Sequence, residues 1–87
     1  MHIKYLLSKI EKDIKQPFFI DNCKLTRIDG EIKLLFLGYD ERMEDIVQYC
    51  KQLLETELGK TFILHHSQSG KKPLSKENTY LYRFAEE

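Results

Sequence analysis

The stretch from Cys23 to His66 decides the fold. It reads CKLTRIDGEIKLLFLG over residues 23–38, DERMEDIVQYCKQLLETELG over residues 40–59 and TFILHH over residues 61–66. An Asp-Gly pair between two apolar runs is a strong hairpin signal, because glycine accepts the positive φ that primed turns demand. Asp29-Gly30 therefore predicts a turn joining Cys23–Ile28 to Glu31–Leu37. The second run begins by alternating and ends fully apolar, as expected of a central strand buried on both faces. Met43, Ile46, Val47, Cys50, Leu53, Leu54 and Leu58 then recur at helical spacing. Asp40 is the expected N-cap, Glu41, Glu44 and Asp45 favour the positive end of the helix, and Gly59 is the expected left-handed C-cap. Thr61–His66 reads as the next strand.

Outward from this centre, Ile3, Leu6, Leu7, Ile10 and Ile14 form an amphipathic helix that Pro17 is expected to end. Phe18, Phe19 and Ile20 follow as a bulky apolar cluster, read as a plug beneath that helix. On the other side, residues 67–78 form a polar loop of a length uncommon in so small a domain. Tyr80, Tyr82 and Phe84 alternate with Leu81 and Arg83 as a short strand over 79–84. That strand is either an edge of the same sheet or a tail that pairs with another chain, with packing in cis preferred. The expected core is Leu7, Ile10, Leu25, Leu34, Phe36, Ile46, Val47, Cys50, Leu54 and Ile63. The fold class is α+β. Residues 1–66 give a small two-layer αββαβ domain, and residues 67–87 add a basic loop and an aromatic strand to it.

The 87 residues suffice for one domain, and 41% apolar content excludes a disordered chain. Charged residues reach 32% but cancel to zero, which disfavours sequence-independent nucleic-acid binding. The cancellation is uneven. Lys4, Lys9, Lys12 and Lys15 make the first helix basic, and Lys60, Lys71, Lys72 and Lys76 make the late loop basic. Asp40, Glu41, Glu44, Asp45, Glu55 and Glu57 make the second helix acidic. Cys23 and Cys50 sit in apolar runs with no ligand at metal spacing, as small buried hydrophobes of a reduced protein do. Neither a secretory leader nor a run of about 20 apolar residues is present in this sequence, so a cytoplasmic location is expected.

Catalytic constellations fail one by one. Ser69-Gly70-Lys71-Lys72 lacks the strand–loop–helix setting of a phosphate loop, and there is no Gly-x-Ser-x-Gly elbow. His65 and His66, as neighbours on a strand, point to opposite faces and cannot easily share an ion; a further ligand would have to be His2 or a distant carboxylate. No catalytic residue, metal or cofactor is therefore expected. Lys71, Lys72 and Lys76 beside Tyr80 and Tyr82 suit single-stranded nucleic acid, where rings stack on bases. The Gly-x-x-Gly clamp of a KH domain does not occur, and the tyrosines equally suit one face of a packed strand.

The order of elements resembles a specific group. Gln16-Pro17-Phe18-Phe19 follows the opening helix with its Leu6-Leu7-Ser8-Lys9-Ile10-Glu11 face, Leu25–Leu34 carries the hairpin, and Leu53-Leu54-Glu55-Thr56-Glu57-Leu58-Gly59-Lys60 ends the long helix. Residues 1–66 so resemble the N-terminal domain of the bacterial replication initiator DnaA and the pseudo-KH domain at the C-terminus of the DNA polymerase III tau subunit. The resemblance implies a pseudo-KH-like, non-enzymatic module that docks protein partners of the replication machinery through helix faces and an adjoining apolar patch. No individual contact residue carries over. The expected partner-binding set is Phe18, Phe19, Lys71, Lys72, Lys76, Tyr80 and Tyr82, on a monomer or on a homodimer formed through an exposed sheet edge. The reading from another class is a small single-stranded nucleic-acid binder.

Overall fold

The structure, a computed structural model, describes residues 3–70 and 78–87. The elements are α1 (Ile3–Phe18), β1 (Cys23–Ile28), β2 (Glu31–Leu37), α2 (Met43–Leu58), β3 (Phe62–Ser69) and β4 (Thr79–Glu86). The strands form one antiparallel sheet in the order β1-β2-β4-β3. The α+β class is therefore as the patterning predicts, and the C-terminal segment completes the same sheet.

β4 packs in cis, but as an interior strand rather than an edge. It pairs with β2 from Ile32↔Phe84 to Leu37↔Thr79 and with β3 from Phe62↔Glu86 to Ser69↔Thr79. Its inward residues Tyr80, Tyr82 and Phe84 are core, alongside Leu34 and Phe36 of β2 and Cys23 and Leu25 of β1. Phe36 meets Tyr82 edge-on at 5.8 Å, and Phe62 meets Phe84 at 6.5 Å, a geometry that aromatic quadrupoles favour.

Both helices cover this one face. α1 contributes Leu6, Leu7, Ile10 and Ile14, and α2 contributes Met43, Ile46, Val47, Cys50 and Leu54. Gly59 closes α2 in the left-handed conformation, and Asp29 and Gly30 both take positive φ, as the primed turn requires.

Four local expectations are corrected. α1 runs through Pro17 to Phe18, because the last turn is closed from beyond by the Ile20 N–H on the Lys15 carbonyl at 3.3 Å. Asp40 does not cap α2 as its first flanking residue; Arg42 holds that place without a side-chain cap. Asp40 instead accepts from the Arg42 N–H at 2.8 Å in a turn one step earlier. β2 is buried on alternate residues only, since no described element lies on the second face. Ile63 is 47% exposed, because Phe62 and Leu64 take the inward positions of β3.

Candidate interaction surface

The described residues singled out by the sequence fall in three regions. Lys71, Lys72 and Lys76 lie outside the described residues, as does His2. Tyr80 and Tyr82 are each 2% exposed, which corrects their place in a nucleic-acid platform. Their faces are spent on Phe36, Tyr39 and His66 and are not open to bases. The Tyr82 hydroxyl donates to Glu44 Oε1 of α2 at 3.0 Å. Burial first, and then this bond, hold it protonated far above the usual phenol range.

The second region is the end of the molecule where α1 stops. Phe18 is half-buried and packs edge-on against Tyr49 of α2 at 5.8 Å. Ile20 is buried and is the true plug. Phe19, between them, points outward and is 91% exposed, so the plug reading fails for this residue. Its φ is +51°, in the left-handed position that ends a helix and that glycine normally fills.

A clamp holds it there. The Arg42 guanidinium grips both oxygens of Asp40, Nε at 3.0 Å and Nη2 at 2.9 Å, and its Nη1 donates to the Phe18 carbonyl. The bidentate pair keeps the Asp40 carboxyl below its ordinary range, chiefly through the Arg42 side-chain bond. Asn22 locks the neighbouring strand end, giving its Nδ2 to the Leu37 carbonyl at 3.0 Å and its own carbonyl to the Leu37 N–H at 2.8 Å. Phe19, Leu37 and Tyr39 thus border a shallow cleft of about 300 Å³, and Leu37 is itself 59% exposed.

The third region is the sheet face away from the helices. Among the described residues none on it is buried. Leu35 faces Leu81 at its centre, and Thr26, Lys33, Arg83 and His65 form a row across all four strands. Glu31 reaches Arg83 at 3.4 Å. His65 and His66 take opposite faces, as alternation predicts. His66 lies flat on Tyr82 with ring centroids 4.4 Å apart.

Cys23 and Cys50 are free and buried, and desolvation raises both thiols, Cys50 the more strongly. Among the described residues no three His, Cys, Asp or Glu side chains gather to hold a metal ion. Likewise no described helix is long and apolar enough to cross a membrane.

The sequence reading missed two features. The basic row joins Lys33 to Arg83 across most of the chain, and only strand parity hints at it. The conformation of Phe19 was hidden because three adjacent apolar residues do not say which one faces water. No family model, no curated protein and no solved structure matches this chain.

Proposed function

We propose that this chain is a non-enzymatic protein–protein interaction module that docks partners through the Phe19 end. The observation that carries the reading is Phe19 itself. A bulky apolar residue occupies a left-handed position that costs about 1 kcal/mol for a non-glycine residue, and its ring is left in water. The turn ends α1 but does not call for a phenylalanine there, and local choices that work against stability cluster where function needs them. Leu37 and Tyr39 beside it supply apolar surface around the knob. The buried thiols suit a reducing, cytoplasmic setting. The likeness of residues 1–66 to docking domains of replication proteins supports a partner within that machinery.

The test is affinity capture from the native host with wild-type protein and with Phe19→Gly, compared quantitatively. Loss of a defined partner with Phe19→Gly supports the reading; identical captured sets overturn it.

A second reading is favoured by the row of Lys33, Arg83 and His65 on an open sheet face. It makes the chain a single-stranded nucleic-acid binder that uses this face in place of the tyrosines. Oligonucleotide binding whose log affinity falls steeply with log salt, and which Lys33→Glu abolishes, would establish it.

A further inference from the structure

The sheet has two edges, and the protein treats them alike at first. On β1 the outward N–H of Leu25 donates to Glu11 Oε1 of α1 at 2.7 Å. On β3 the outward N–H of Phe62 donates to Glu55 Oε2 of α2 at 3.0 Å. Each glutamate pairs with a lysine one turn away, Lys15 at 3.6 Å and Lys51 at 3.0 Å. A helix-borne carboxylate thus occupies the edge donor that a foreign strand would seek.

Beyond Phe62 the two edges part. The Thr61 carbonyl accepts from Glu87 on the β4 side, so odd-numbered residues of β3 bond to β4 and even-numbered ones face outward. Leu64 and His66 therefore present their N–H and C=O groups away from the sheet. Among the described residues no backbone group meets them. Residues 65–69 are exposed on both faces of the strand, so no described helix blocks an approaching strand. β3 also lacks the usual deterrents. It is the one strand with no Lys, Arg, Asp or Glu, whereas β1 carries Lys24 and Arg27.

We propose that β3 is a strand-addition edge whose occupant is the β3 of a second copy, antiparallel about a two-fold axis at His65. In that register Leu64 lies opposite His66 of the other copy, and the reverse, giving four backbone hydrogen bonds. Phe62 stays with Glu55, and the two sheets join into one of eight strands. The argument for a second copy is electrostatic. In a two-fold pair each strand meets its own charges, and an uncharged strand is the kind that meets no repulsion. A charged peptide would find no complementary partner on β3.

Sedimentation of the wild-type chain between micromolar and millimolar concentration tests this, with three variants. The expected result is a monomer–dimer equilibrium that His65→Glu weakens by about tenfold or more, by placing two carboxylates on the axis. His65→Cys should cross-link in air-equilibrated buffer, where dissolved oxygen takes up the two electrons, since facing residues in a non-hydrogen-bonded pair have Cα atoms about 4.5 Å apart, within disulfide reach. Ser67→Cys, set off from the axis, should not cross-link. Circular dichroism of each variant confirms that it is folded. A wild-type chain that stays monomeric at millimolar concentration, a dimer that survives His65→Glu, or cross-linking through Ser67→Cys instead of His65→Cys overturns the proposal. So does preferential capture of another protein's strand by the same edge.

Discussion

Phe19 concentrates at one position what usually separates stability from use. Its ring contributes almost nothing to the core, and its backbone sits where a side chain is strained. Replacing it by glycine removes the strain and sacrifices no packing. Phe19→Gly is expected to stabilise the fold by about 1 kcal/mol in a urea titration, even as it removes the knob; a loss of stability would mean that the ring packs after all. Acid sensitivity is also a matter of single residues. Asp40 is held below its ordinary value of 3.8 first by the Arg42 side chain. Glu55 is held below 4.5 first by the Phe62 N–H and then by Lys51. A carboxyl depressed in the folded state adds stability that is present above its unfolded pKa and is lost as pH falls through the folded one. The urea midpoint should therefore drop as pH falls below about 4.5, and Glu55→Gln or Asp40→Asn should flatten that acid limb while lowering the midpoint at neutral pH. An unchanged limb in both variants would refute the assignment.

At the scale of elements, the two glutamates are helix residues whose task lies on strands. Glu11→Ala leaves the Leu25 N–H without its acceptor and uncovers the β1 edge. The expected cost is about 1 kcal/mol, with increased aggregation by light scattering; a variant as stable and as soluble as wild type would contradict the role. Most elements were legible because their signals are local. The stripe of Met43 to Leu58 gives α2, and Asp29-Gly30 gives the hairpin. Legibility failed where position depends on a distant partner. Nothing near Thr79–Glu86 says that it enters between β2 and β3, because that depends on pairing with Ile32–Leu37, far away in the chain. Ile63 and Leu64 are equally apolar neighbours, and only the register with β4 decides which of them turns outward. At the candidate site, the aromatic pair was visible, but the Arg42 clamp that sets its direction joins residues 24 apart in sequence.

For the molecule as a whole, charge is laid out element by element. The open sheet face carries Lys24, Lys33 and Arg83, α1 exposes Lys4, Lys9 and Lys12, and the outer side of α2 carries Asp45 and Glu57, with Glu41 exposed in the turn before it. A neutral total thus conceals a polarised body, which steers how a charged partner approaches. The interior position of β4 makes the sheet a single cooperative unit. Removing residues 79–87 takes away the partner of β3 and one partner of β2, and strips Tyr80, Tyr82 and Phe84 from the core. The truncated chain is expected to lose its cooperative thermal transition altogether. A sharp melt near the wild-type temperature would mean that β1, β2 and the helices form a self-sufficient core.

The late place of β4 in the chain also bears on how the protein comes into being. Translation delivers α1, the β1–β2 hairpin, α2 and β3 before the strand that must lie between β2 and β3. Until Thr79–Glu86 has left the ribosomal tunnel, β3 has no neighbour on either side and the helices have half a sheet to cover. Folding is thereby postponed to the end of this stretch of synthesis instead of proceeding piece by piece. A ribosome that stalls before Thr79 releases a chain with apolar surface uncovered, the kind of product that proteases and chaperones remove first.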